Sequence, residues 1–97
     1  MIQSFADDAT ADIFHGINSK RARKRLDPSL YSIACRKLDM LNASLNLSDL
    51  KVPPANRLEV LKGNFKGKYS IRINAQYRIV FSWGIQGPEQ VEIIDYH

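Results

Sequence analysis

KYSIRINAQYRIVFSW, residues 68–83, has the alternation of a β-hairpin with two chemically different faces. Tyr69, Ile71 and Ile73 alternate with Ser70, Arg72 and Asn74; beyond Ala75 and Gln76, the apolar Tyr77, Ile79, Phe81 and Trp83 alternate with Arg78, Val80 and Ser82. The two apolar faces coincide only if the turn centres near Ala75, with Ile73 opposite Tyr77 and Arg72 opposite Arg78. Like charges directly opposite each other cost roughly 0.2–1 kcal/mol. Two neighbouring arginines therefore either splay into water on an ordinary solvated face or are held for an anion, and alternation alone does not choose between these.

The flanking segments extend the hairpin into a sheet. Residues 56–62, NRLEVLK, read as a strand stopped by Gly63, and residues 64–67 as a polar turn. Residues 84–90 contain Gly87-Pro88 and read as a second turn, with residues 91–97, VEIIDYH, as the last strand. Short connections make these four strands antiparallel.

Upstream, Ile2-Gln3-Ser4-Phe5 alternates like a short edge strand. Asp7 and Asp8 then suit a helix start, where carboxylates meet the positive end of the dipole, with Ala9, Ile13 and Phe14 as its buried side and Gly16 as its end. Asp27-Pro28 is a helix entry, N-cap followed by proline at the first position. From there Tyr31, Ala34, Cys35, Leu38, Leu41 and Leu45 trace the apolar stripe of a helix over residues 28–43. On that stripe Cys35 reads as a buried structural thiol and Met40 as core. The whole is one α+β domain, residues 1–97, in the order β-α-α-β-β-β-β, with two N-terminal helices packed on a mainly antiparallel sheet.

Charge narrows the partners. The net charge is +4, from 14 Lys+Arg and 10 Asp+Glu. Five of the cations, Lys20, Arg21, Arg23, Lys24 and Arg25, fall within KRARKR. That tract reads either as an exposed connector or as a solvated helical extension, and repulsion among its charges argues for mobility. A second basic zone holds Arg57, Lys62, Lys66, Lys68, Arg72 and Arg78, with Glu59 as its only acid. Two such zones suit a polyanion, most simply a nucleic acid, although an acidic protein would satisfy the same charges. One cysteine and two histidines, His15 and His97, give no metal-ligand cluster, so metal-independent chemistry without a cofactor is expected. No apolar run approaches the roughly 18 residues that span a bilayer, and an acidic N-terminus is unlike a secretory signal, so no membrane contact and a cytoplasmic location are expected.

Metal-free cleavage of RNA needs a proton acceptor for the 2′-hydroxyl, a donor for the leaving oxygen, and cations on the phosphate. His97, Tyr96, Glu59 and Asp95 are the candidate proton carriers, and Arg72, Arg78 and Lys62 the candidate phosphate stabilisers. Each has a plainer role available: chain end for His97, core edge for Tyr96, neutralisation of Arg57 or Lys62 for Glu59.

The run VPPANRLEVLKGNFKGKYSIRINAQYRIVF, residues 52–81, with terminal VEIIDYH, resembles the HigB family of toxin–antitoxin systems, within the RelE-like superfamily. The N-terminal IQSF and the helical RKLDMLNA extend the resemblance over nearly the whole chain. It implies a microbial-RNase-like fold and a toxin that enters the ribosomal A site and cleaves mRNA. It also implies a HigA-like helix-turn-helix antitoxin as partner, through which alone operator DNA is met. By position, it maps Lys62, Arg72, Arg78, Tyr96 and His97 onto the catalytic surface and Asn74 and Asp95 onto the RNA-binding surface; Glu59, Lys66 and Lys68 join the latter through the basic zone. Some family members carry histidine where this chain has Glu59, so a His-based division of proton transfers does not carry over to this chain. The alternative is a non-catalytic basic module for nucleic acid or an acidic protein.

Overall fold

The computed structural model describes residues 1–96 and shows an α+β domain in which helices cover one face of a four-stranded antiparallel sheet. Helix α1 spans Asp8–Phe14, α2 Lys20–Arg25 and α3 Tyr31–Ala43; strands are β1 Glu59–Val60, β2 Tyr69–Arg72, β3 Tyr77–Gly84 and β4 Gly87–Asp95. None of these helices is long and apolar enough to cross a membrane.

Local chemistry sets the helix starts. The Asp7 carboxylate accepts from Thr10 N–H at 2.7 Å and caps α1, which closes before Gly16 at φ 74°. Asp27 accepts from Ser29 N–H, Pro28–Leu30 forms a 3-10 turn, and α3 continues from it. Ala34, Leu38 and Leu41 of α3 are wholly buried against Ile13, Ala22, Leu26, Leu50 and the sheet residues Ile71, Ile79, Phe81, Val91 and Ile93. Truncating such a leucine to alanine costs about 2–5 kcal/mol. Leu45, expected on the same stripe, falls beyond the helix end at Ser44 and is exposed.

Several boundaries differ from the sequence reading. Of the two readings of the basic tract, the helical one holds: it is the helix α2, capped by Ser19 Oγ accepting from Ala22 N–H, with Ala22 turned into the core. Its charges coexist because acids come to them: Arg21 bonds Asp12 and Asp8, and Arg25 bonds Asp7. The N-terminal segment is not a full strand but a single parallel bridge, Phe5 to Val91, since Asp7 already begins the α1 cap. The described order is thus three helices followed by four strands. The strand expected at 56–62 shrinks to Glu59–Val60 because Arg57 adopts a left-handed φ of 47°. Strand β4 starts earlier than expected, at Gly87, directly across a tight turn from Gly84.

The central hairpin has the expected register, with Arg72 opposite Arg78 and Ile71 opposite Ile79. Asn74 makes its turn, the side-chain oxygen accepting from Gln76 and Tyr77 N–H at 2.9 and 2.7 Å. The polar face of the hairpin is not simply solvated, however. Ser70, Arg78 and Val80 are all buried on it.

Candidate active site

Arg78 is the centre of that second face. Its guanidinium, only 7% exposed, donates from Nε to Ser70 Oγ at 2.7 Å and from Nη2 to the Arg57 carbonyl at 2.6 Å. The left-handed turn at Arg57 is what presents this carbonyl. The remaining nitrogen, Nη1, lies 3.6 Å from Glu59 Oε1, a carboxylate half-exposed on β1. The Tyr96 ring covers the Arg78 Cζ at 5.6 Å. Burial pulls the Arg78 pKa down and Glu59 opposes the shift, yet guanidinium keeps its proton in proteins. The result is a positive charge with fixed orientation, of which one nitrogen is offered to a cleft.

That cleft, of about 240 Å³, is lined by Arg57, Glu59, Arg72, Asn74, Arg78 and Tyr96. Arg72 is half-buried beside Arg78 and makes no ion pair among the described residues. Among the described residues, three arginines therefore line one concavity with one glutamate. Bidentate donors in that number suit a phosphate that gains charge during reaction.

Of the residues picked from sequence, Glu59, Arg72, Asn74, Arg78 and Tyr96 come together here. Others do not. Lys62 and Lys66 are exposed around the Gly63–Phe65 turn and Lys68 is half-buried, and none of the three lines the cleft. Asp95 points away from Tyr96, as strand alternation requires. It accepts from Gln76 Nε2 at 3.0 Å and lines a different hollow with Lys24, Arg25 and Glu92. His97 lies outside the described residues. Within α2, Arg23 bonds the Asn18 carbonyl while Lys20 and Lys24 are exposed. Asp12 is held below the usual carboxylate range by its hydrogen bonds to Arg21 and Ser19. The Cys35 thiol donates to the Ile13 carbonyl at 3.2 Å, and burial pushes its pKa up, away from a nucleophile.

Two residues of the site escaped the sequence reading. Arg57 counts there only as charge, whereas it lines the cleft and supplies the carbonyl that braces Arg78. Lys37 is buried on α3 beside a cavity that shares Arg57, Arg72 and Asn74 with the cleft. Its spacing from Ala34 and Leu41, three and four residues, is the available signal.

A family model described as RelE-like toxin of type II toxin–antitoxin system HigB matches residues 3–97. Toxin HigB-1 of Vibrio cholerae is 53% identical over 62 residues, covering 63% of this chain and 65% of that protein. An uncharacterized protein of Haemophilus influenzae is 46% identical over 59 residues, covering 61% of this chain and 58% of that one. These alignments span less than two thirds of either relative. In fold, the chain is similar to a chain of the YoeB–YefM complex from Staphylococcus aureus, with TM-score 0.61, 18% identity, and coverage of 100% of this chain and 95% of the other. A heterotetrameric form of that toxin–antitoxin complex gives TM-score 0.60 at 20% identity, with the same coverage of 100% and 95%. With a family model that matches all but the first two residues, the chain belongs to the HigB-like family of RelE-like toxins of type II toxin–antitoxin systems.

Proposed function

We propose that the protein is an endoribonuclease toxin that cleaves mRNA in the ribosomal A site without a metal ion, so arresting translation in the cytoplasm, and that a HigA-like helix-turn-helix antitoxin neutralises it. The observation that carries this reading is the buried Arg78, braced by Ser70 and the Arg57 carbonyl, with Arg57 and Arg72 around the same cleft.

In this reading the 2′-oxygen attacks the adjacent phosphorus and the bond to the 5′-oxygen breaks, leaving a 2′,3′-cyclic phosphate and a 5′-hydroxyl. Arg78 and Arg72 stabilise the charge that grows on the phosphate oxygens. Glu59, 3.6 Å from Arg78, accepts the 2′-hydroxyl proton. Tyr96 or His97 stacks on a base or supplies the proton to the 5′-oxygen. One exposed carboxylate and a phenol make a weak acid–base set, which suits an enzyme that leaves alignment of the reacting atoms to the ribosome.

Cleavage of translated mRNA by Arg78→Ala protein tests the assignment. Loss of one preorganised donor should slow cleavage by about 10²–10³-fold. Cleavage at the wild-type rate would overturn the role of Arg78. Wild-type protein that binds ribosomes but leaves mRNA intact would instead favour a non-catalytic basic module. For the partner, growth arrest should be relieved by a co-expressed helix-turn-helix neighbour, and operator DNA should be bound only when that neighbour is present.

A further inference from the structure

Lys37 is a cation that the reaction above leaves unused. It is 8% exposed on α3, and its Nζ donates to Asn56 Oδ1. Asn56 is itself fixed, its Nδ2 donating to the Leu50 carbonyl at 3.1 Å, so its oxygen stays turned toward the lysine. No carboxylate pairs with Lys37 among the described residues. The charged group acting on it is Arg36, of the same sign, and burial pulls its pKa down. A buried ammonium with one neutral acceptor is an unfavourable arrangement for packing alone.

The lysine lines a cavity of about 310 Å³, together with Arg57, Arg72, Ile73 and Asn74. Among the described residues three cations and no carboxylate line it, and Arg57, Arg72 and Asn74 are also walls of the Arg78 cleft. The two hollows are thus neighbours across shared side chains. Nζ has three N–H donors, of which Asn56 takes one.

We propose that Lys37, Arg57 and Arg72 form a second anion subsite that holds the phosphodiester next to the scissile one in a single-stranded RNA. The proposal rests on the reading of the Arg78 cleft as an RNA cleavage site. The incoming phosphate supplies the counter-charge that the fold withholds from Lys37. A two-point grip of this kind sets the direction of the strand across the cleft, which a single phosphate contact does not.

The test uses uncleavable 2′-O-methyl oligonucleotides with the full chain, a dinucleotide carrying one phosphodiester and a tetranucleotide carrying flanking ones. Affinity is measured over a range of salt for wild type, Lys37→Gln and Arg78→Ala. Lengthening should improve wild-type affinity by about tenfold and Lys37→Gln affinity by less than about threefold, on the scale of one charge-assisted contact. The tetranucleotide's slope of log affinity against log salt should fall in magnitude by about 0.7 in Lys37→Gln. In the wild-type chain, Lys37 side-chain NMR signals should move with the tetranucleotide and not with the dinucleotide, a readout that stands whether or not Lys37→Gln folds. An equal gain on lengthening in both proteins, or an equal loss at both lengths in Lys37→Gln, overturns the subsite and makes Lys37 structural. Inorganic phosphate that moves the same signals and leaves the lengthening gain intact reassigns the subsite to a free anion and overturns the RNA assignment. Failure of wild type to bind either length, or Arg78-dependent binding without a Lys37-dependent gain, overturns the subsite alone, whereas the cleavage reading falls only if wild type leaves ribosome-bound mRNA intact.

Discussion

The two basic regions of this molecule carry charge in opposite ways. Helix α2 is the denser in sequence, yet Arg21 and Arg25 are turned back onto Asp7, Asp8 and Asp12, and Arg25 also bonds the Ile93 carbonyl. The cleft is sparser in sequence, yet among the described residues Arg57, Arg72 and Arg78 share only Glu59 there, with Lys37 close behind. In the first region cations hold the fold together. In the second the fold holds cations apart from their counter-ions. An anion site is thus to be sought not where basic residues are most frequent but where backbone carbonyls and hydroxyls replace carboxylates as their partners.

Beyond the Arg78 and Lys37 variants, three experiments press on this contrast. The largest expected effect comes from Glu59→Gln, which removes the cleft's one proton acceptor among the described residues while keeping its shape. Cleavage of ribosome-bound mRNA should fall by about 100-fold, and a wild-type rate would move the acceptor elsewhere, leaving Glu59 as a simple neighbour of Arg78.

The next effect belongs to stability and to α2. Asp12 has its folded pKa below the usual 3.8, chiefly through its hydrogen bond to Arg21. A depressed carboxylate stabilises the fold above its unfolded pKa, and that contribution disappears as pH falls through the folded value. Asp12→Asn should therefore unfold more readily than wild type near neutrality, with the two stabilities converging as pH falls below 3.8 and through the lowered folded value. Cleavage at neutral pH should be unaffected in the folded variant. Parallel unfolding curves across the acid range would show that the Arg21 pair is not what fastens α2.

The smallest effect should come from replacing Lys20, Arg23 and Lys24 together by Gln. These side chains lie on the exposed side of the tract and attract a polyanion only through screened charge. Ribosome affinity should weaken by less than about threefold at physiological salt and be indistinguishable from wild type at high salt. A tenfold loss that survives high salt would return α2 to the binding surface.

Register and helix starts were the legible parts of this chain. Alternation at period two forces Arg72 opposite Arg78, because a one-residue slip would turn Ile71, Ile79 and Phe81 out of the core. Asp7 and Asp27 announce their helices because capping is local chemistry. What alternation cannot say is whether the second face is covered. That depends on Arg57 bending left-handed without a glycine or asparagine to mark it, and on Tyr96 closing over Arg78. The pairing of α2 with acids 9 to 18 residues away is likewise tertiary, so its charge run reads as repulsive until the fold brings the partners in. Lys37 was hidden for the converse reason: a charged residue on a buried stripe looks like a break in the pattern when it is the part of the pattern that faces a cavity.

The N-terminal segment has a consequence for solubility. Along the outer border of β4, Gln3 N–H bonds the Pro88 carbonyl, Val91 N–H the Ser4 carbonyl, and Ala6 N–H the Val91 carbonyl. Thr10 Oγ1 then accepts from Ile93 N–H at 3.0 Å, and Arg25 donates to the Ile93 carbonyl at 2.8 Å. From Pro88 to Ile93 the border is occupied by short, irregular and charged pieces of the same chain, which offer no continuous ladder for a foreign strand. The opposite border, β1, is two residues long. The sheet is thereby protected at both ends from edge-to-edge aggregation, the hazard that an open four-stranded sheet would otherwise carry into a crowded solution.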